Sequence, residues 1–387
     1  MNIKVLIYAP NYRECNGVAN VIMGQYKGLL ENNCSVDFIQ NNNVESIFTK
    51  RIYSNNGKLF TINSNKGFLK KIRYIKKIIK ENKYDVIHIN AGGIYSYFQI
   101  LYAKKYNVKT IIWHSHNTKI NYNLKNRIKN LLNYYLGIKK SNCYIACTNQ
   151  AGKDVFKKNK FYILNNAIDV SKFLFSIENR KKIRQKYNIS DNTFVVGTVC
   201  RYSMQKNPFF MIDIFKKIVL KRRNSIFLWV GSSFNNDDKI TQKIKNYIKE
   251  CNLENHVILC GSQEDTSVYY SAMDVFMMPS IWEGLGIVYV ESQANSLPTY
   301  ASNVVPDETN LTNMIKYISL KQKDFYWAEQ MLKNPIRNGS FVNLIDDRCI
   351  CEKNYDINYY YNYLYTIYEN ELQSCLRKII KIREGDK

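Results

Sequence analysis

The chain has 387 residues, 45% of them hydrophobic, which is enough for two domains each burying its own core and excludes a disordered protein. Its formal net charge of +24 is unevenly placed: residues 1–190 hold 33 Lys+Arg against 9 Asp+Glu, whereas residues 191–387 hold 23 of each. No apolar run reaches the ~18 to 20 residues of a spanning helix, and Lys4 interrupts what would be the core of a signal peptide, so the expectation is a cytoplasmic protein not threaded through a membrane.

In chain order, "IKVLIYAP" (3–10), "SVDFI" (35–39), "YDVIHIN" (84–90), "TIIWHSH" (110–116) and "CYIACT" (143–148) read as buried strands. They are short, rich in branched residues and stopped by turn-formers. Amphipathic helices lie between them, for example Val18 to Leu30 and Gly67 to Asn82. The stretch from Asn165 to Asp191 has no strong period and is expected to join two domains. The pattern then restarts with "TFVVGTVCR" (193–201), "SIFLWVGS" (225–232), "HVILCGS" (256–262), "DVFMMPS" (274–280) and "LPTYAS" (297–302). Strands alternating with helices imply α/β domains, each a doubly wound parallel sheet. The expected divisions are 1–170, 171–355 and a Tyr-rich helix, 356–387, that returns to pack on the first domain. Ten cysteines are scattered without any C-x-x-C and read as small hydrophobes in a reducing compartment.

Candidate chemistry concentrates after the second set of strands. "IWEGLG" follows the strand "DVFMMPS", at the carboxyl end where open α/β sheets bind ligands. A helix beginning near Gly286 would offer backbone N–H groups there, from Gly286 and Ile287 up to Tyr289, and its dipole suits a phosphate. Glu283 precedes that turn and could reach a sugar hydroxyl. Glu291, in the helix, could accept two hydrogen bonds from the paired hydroxyls of a ribose. "GTVCRYSMQKNP" puts Arg201 directly after a strand and Lys206 five residues on, a fork and a point charge suited to a diphosphate. The alternative is an ordinary exposed helix and a solvated basic loop.

From about 194 to 302 the chain resembles the GT-B glycosyltransferases of family 4, which are retaining, nucleotide-sugar-dependent enzymes. The resemblance rests on "GTVCRYSMQKNPFFMIDIF", "FLWVGS", "HVILCGSQEDTSVYYSAMDVFMMPSIWEGLGIVYVESQANSLP" and "ASNVVPDE", in the family's order and spacing. It implies two Rossmann-like domains facing across a cleft. It also implies that Arg201 and Lys206 hold the donor diphosphate with the Gly286–Ile287 turn, that Glu283 contacts the donor sugar and that Glu291 contacts the ribose. The first half is similar more loosely. Gly17 in "YRECNGVAN" stands in the family's glycine loop, with Asn16 where most relatives have a second glycine, and would let backbone approach the donor phosphates or the acceptor. "ILNNAID" places Ala167 where the family has Gly.

His114 and His116 lie one residue apart at a strand end. No Cys, Asp or Glu in their segment completes a metal site, so no metal and no cofactor are expected beyond a nucleotide-sugar co-substrate, UDP-linked. By the resemblance one of the two histidines stands beside the sugar, as hydrogen-bond donor or in positioning the acceptor; the residues leave open which. His88 and His256 are expected to be structural. The basic helices 66–82 and 123–140 carry apolar stripes for packing, and their lysines suit an anionic inner membrane face, each worth on the order of 1 kcal/mol near such a surface. Together these features imply a hexosyltransferase, peripheral at that face, acting on a lipid-linked saccharide in capsule or exopolysaccharide synthesis. Two other readings stand beside it: a nucleotide-sugar hydrolase or epimerase on the same fold, and a basic nucleic-acid-binding protein. The last lacks a reading module, and nucleic acid is not an expected partner.

Overall fold

Seven short strands lie side by side and parallel in the unit formed by Met1–Asn166 and Ile357–Lys387. They are β1 (Lys4–Tyr8), β2 (Ser35–Gln40), β3 (Leu59–Thr61), β4 (Val86–Ile89), β5 (Thr110–Ser115), β6 (Cys143–Ala146) and β7 (Tyr162–Ile163), in the order β3-β2-β1-β4-β5-β6-β7. Every residue of β4 and β5 is buried, as expected of inner strands covered on both faces. The helices between them are α1 (Gly17–Glu31), α2 (Ile47–Ser54), α3 (Phe68–Asn82), α4 (Ile94–Lys105) and α5 (Asn149–Phe156). The computed structural model describes all residues except 1, 11, 13–16, 44, 63–64, 91, 117–134, 136, 234–237, 338–347 and 386–387. Most of the basic helix expected over 123–140 therefore lies outside the described residues.

Local rules explain where these elements stop. Ser46 caps α2 with its side chain on Thr49 N while Thr49 returns a bond to Ser46 N, a reciprocal capping box, and Thr148 caps α5 on Ala151 N. Among the described non-glycine residues with left-handed φ, eight of eleven are Asn, the side chain that tolerates this conformation best after glycine.

The last helix, Ile357–Gly385, belongs to this first unit and lies on α1 and β5. Gly28 of α1 makes the approach possible, since a Cβ there would stand 2.2 Å from the Tyr361 ring. Gln25 of α1 hydrogen-bonds the Tyr360 hydroxyl, and Tyr162 donates to Glu371 Oε1 at 2.9 Å.

The second unit, Ala167–Asp356, repeats the plan with six parallel strands in the order β10-β9-β8-β11-β12-β13. These are β8 (Phe194–Val199), β9 (Ser225–Val230), β10 (Val257–Gly261), β11 (Val275–Met278), β12 (Thr299–Ser302) and β13 (Ile315–Ile318). Its helices are α6 (Val170–Phe173), α7 (Ile177–Lys186), α8 (Pro208–Lys221), α9 (Asp238–Glu250), α10 (Ser267–Tyr270), α11 (Ile287–Ala294), α12 (Asp324–Leu332) and α13 (Arg348–Glu352). The chain changes unit at Ala167, ahead of residue 170, because Ile168 N donates to Tyr355 O and Ile168 bridges Asp356.

The stretch from Asn165 to Asp191, which has no strong hydrophobic period, contains α6 and α7; α7 shows why the period is weak. Its buried face is polar: Arg180 and Arg184, one turn apart, both pair with Asp274, at 2.8 Å and 2.9 Å, and Arg337 joins the cluster through its backbone N. Burial lowers the pKa of Arg184, and lowers that of Arg337 to about 9. Charged residues on the inner face hide the helical period from a hydrophobicity reading. In both sheets the first strand lies between the second and the fourth, so strand order reverses beside β1 and beside β8, which is where open α/β sheets hold ligands.

Candidate active site

In the second unit the reversal point brings together the loops that follow β8 and β11. Ile281 N donates to Gln205 O at 2.8 Å, and Gln205 Nε2 donates to Trp282 O at 2.9 Å, so the two loops are tied by backbone. Across that tie Lys206 Nζ meets Glu283 Oε1 at 2.5 Å, with side chains only 12% and 4% exposed. Ser280 Oγ donates to the same oxygen at 2.6 Å. Lys206 ends a 3-10 turn, Met204–Lys206, and Asn207, left-handed at φ 59, starts α8 directly after it. Arg201, partly exposed, lies two residues past β8, and Ser203 Oγ in the same loop is buried without a partner among the described residues.

The turn before α11 is shaped by Gly286, whose φ of +74 suits glycine and whose added Cβ would stand 2.6 Å from the Tyr289 ring. Tyr289 donates from its hydroxyl to Met278 O at 2.8 Å, pinning α11 to the end of β11. No side chain caps α11. Its first donors come from Gly286 and Ile287, but Tyr289 N is already bound to Gly286 O at 2.9 Å, so the free N–H run is shorter than expected. Glu291 lies further along α11 and accepts from the Tyr270 hydroxyl at 2.5 Å. Burial of its carboxyl pushes its pKa up to about 7, with the Tyr270 bond opposing.

In the first unit, β5 ends in His114 and Ser115, and His116 follows. His88 in β4 bonds through Nε2 to His114 Nδ1 at 3.1 Å and through Nδ1 to the Tyr368 hydroxyl at 2.7 Å. His116 Nε2 lies 2.8 Å from Asn90 Oδ1, and the His114 and His116 rings are 4.0 Å apart. Burial keeps all three rings neutral, lowering His88 to about 3, His116 to about 4 and His114 well below the usual histidine range. His114 Nε2, His116 Nδ1 and Asn90 Nδ2 are buried without a partner among the described residues. Among the described residues no group of three or more His, Cys, Asp or Glu side chains could hold a metal ion. Gly17 opens α1, and the loop before it, 13–16, is outside the described residues.

Arg201, Lys206, Glu283, Gly286, Ile287 and Glu291 thus gather at one end of one sheet, and Gly17, His114 and His116 belong to the other unit. Sequence reading did not find Ser280, Tyr270, Asn90 or Tyr368. Ser280 was visible as a polar residue directly before "IWEG", but Tyr270 and Tyr368 are two of 31 tyrosines with no spacing to mark them. His88, expected to be structural, is hydrogen-bonded into the histidine chain.

Two family models match adjoining parts of the chain: Glycosyltransferase Family 4 over residues 15–172, and Glycosyl transferases group 1 over residues 179–311. EpsF of Bacillus subtilis (strain 168), which carries the name of a glycosyltransferase, is 26% identical over 82% of this chain and 84% of its own. An Escherichia coli protein named UDP-Gal:alpha-D-GlcNAc-diphosphoundecaprenol alpha-1,3-galactosyltransferase is 27% identical over 61% of this chain and 62% of its own. Among solved structures, Anabaena Alr3699/HepE in complex with UDP and glucose superposes with a TM-score of 0.72 at 14% identity, covering 99% of this chain and 100% of that one, which shows a shared GT-B fold.

Proposed function

We propose, for a chain that belongs to the GT-B glycosyltransferases of family 4, transfer of a hexose from a UDP-linked sugar to a lipid-linked saccharide in cell-surface polysaccharide synthesis, with retention of anomeric configuration. The observation that carries this reading is the buried Lys206–Glu283 pair, set where strand order reverses and beside the open N-terminus of α11. Arg201, Lys206 and the Gly286–Ile287 turn would take the diphosphate, and their charge would stabilise the leaving group as it departs, without a metal. Glu283, already held by Lys206 and Ser280, would offer its remaining lone pairs to a sugar hydroxyl, and Glu291 would take the ribose. Retention through electrostatic stabilisation of the leaving diphosphate needs no enzyme nucleophile.

The donor is taken as UDP-linked because Alr3699/HepE was solved with UDP and glucose and the E. coli relative is named for UDP-Gal. The lipid-linked acceptor follows from the diphosphoundecaprenol in that relative's name. Attachment to an anionic inner membrane face is supported by α3, where Lys70, Arg73, Lys76, Lys77 and Lys80 are exposed beside Phe68 and Leu69, themselves 49% and 68% exposed. No helix among the described residues is long and apolar enough to cross a membrane.

Calorimetric titration with UDP-, GDP-, ADP- and dTDP-sugars, without added metal, tests the donor site. Saturable binding of one nucleotide-sugar, lost in Lys206→Ala and Glu291→Ala, is expected; binding that survives both would sink the reading. Free sugar released at the transfer rate without an acceptor would mark a hydrolase instead.

A further inference from the structure

The last helix carries a phenol to the histidines of the first unit. Tyr368 is fully buried, and its hydroxyl has His88 Nδ1 at 2.7 Å as its hydrogen-bond partner. His88 Nε2 in turn faces His114 Nδ1 at 3.1 Å. With neutral rings each bond contains one proton, so the chain has two arrangements. In one, Tyr368 donates to His88 Nδ1, His88 donates from Nε2 to His114 Nδ1, and His114 keeps its own proton on Nε2. In the other, His114 donates from Nδ1, His88 donates from Nδ1 to the phenol oxygen, and the phenol hydrogen needs a second acceptor. Among the described residues the hydroxyl has no such acceptor, and an unmade bond at a buried O–H is unfavourable. Each arrangement leaves one donor over, the Tyr368 O–H in the second and His114 Nε2–H in the first, and of the two only His114 lies at the carboxyl end of its strand, where open α/β sheets hold ligands.

The first arrangement leaves His114 Nε2–H as a buried donor with no partner among the described residues, the kind of orphan group that calls for a functional account. We propose that Tyr368 and His88 are positioning residues that hold the proton of His114 on Nε2, and that this N–H donates to an oxygen of the saccharide being handled. The same geometry separates the two histidines: His116 donates from Nε2 to Asn90 Oδ1, so its own orphan nitrogen, Nδ1, is an acceptor and not a donor. The last helix thereby sets a tautomer as well as covering the sheet.

The inference rests on the proposed saccharide transfer, but its first readout does not need activity. The chain has four histidines, so imidazole 15N spectra of the full-length protein can be assigned ring by ring with single His→Gln variants. His114 is expected to carry its proton on Nε2 in the unaltered protein; a proton on Nδ1 overturns the proposal. Tyr368→Phe, which keeps the ring and removes only the hydroxyl, should populate the second tautomer at His114. It should also slow transfer about tenfold, the scale of one neutral hydrogen bond, while the affinity for UDP alone stays unchanged. Weaker binding of the UDP-sugar but not of UDP would assign the accepting oxygen to the donor sugar, and unchanged donor binding with slower transfer would assign it to the acceptor. An unmoved tautomer, or an unmoved rate, overturns the proposal. Lys206→Ala tests the transfer reading separately, through loss of UDP binding.

Discussion

The two units share a strand order, and both place polar side chains beyond the carboxyl ends of their inner strands, yet they treat those groups oppositely. In the second unit the groups are ionisable and paired: Glu283 with Lys206 and Ser280, and Glu291 with Tyr270. In the first they are neutral, and His114 Nε2, His116 Nδ1 and Asn90 Nδ2 are buried and unpaired among the described residues. Overall charge runs the other way, with 32 Lys+Arg against 11 Asp+Glu in the first unit and 24 against 21 in the second. Net charge and local chemistry are therefore separate quantities. Pre-paired charges suit a ligand with concentrated negative charge, and neutral donors and acceptors suit hydroxyls. The lysines of the first unit are spread over its surface and act at longer range.

The sharpest way to break the contrast is Lys206→Met. Transfer should fall by on the order of 10² to 10³, the usual cost of removing one group aimed at developing charge, and calorimetry should show UDP binding lost. A fall smaller than that produced by His114→Gln would put the dominant chemistry in the first unit instead.

Next in size is Gly28→Ala. Its Cβ would meet the Tyr361 ring at 2.2 Å, and overpacking of this kind costs about 1–3 kcal/mol. Thermal melting should drop, and hydrogen exchange should quicken in β4 and β5 but not in β8 or β11. Equal quickening in both sheets would mean that the last helix is not a local support of the first unit.

Glu291 gives a smaller, pH-dependent effect. Its pKa of about 7 means that the ionised acceptor form is lost as pH falls through neutrality. UDP-sugar affinity should weaken by about tenfold per pH unit below that point, and Glu291→Gln should flatten the curve. Stability has the opposite sign. The raised pKa favours the fold fully below about 4.5, and that contribution is gone above about 7, so Glu291→Gln should melt higher than the unaltered protein at pH 8 but not at pH 5.

The smallest effect expected is none. With His116 held at about 4 and His114 well below the usual range, a Glu291→Gln protein should show no histidine inflection in transfer between pH 5 and 8. An inflection near 6.5 that disappears with His116→Asn would mean that these rings are solvated and charged.

Sequence reading reached the architecture because inner parallel strands are continuous apolar runs, which β4, β5, β8 and β11 display plainly. It did not find β3, β7 or β13, which have two to four residues and too little pattern to stand out. α7 escaped because its inner face holds Arg180 and Arg184, whose partner Asp274 lies far along the chain. The same reason applies at the site. Lys206 and Glu283 sit in motifs with fixed local spacing, whereas Tyr270 and Tyr368 act on residues brought close only by the fold, 21 and 280 positions away.

The first unit is assembled from two lengths of chain with the whole second unit between them. A ribosome adding roughly 5–20 residues per second would finish the sheet of the first unit tens of seconds before the helix that covers it becomes available. During that interval Gly28 and the floor under His88 would lack their cover, while the intervening unit, continuous in sequence, could fold as soon as it emerged. The order of synthesis would then make the second unit mature first, and would make the nascent first half the stage at which a chaperone or a protease has its best opportunity.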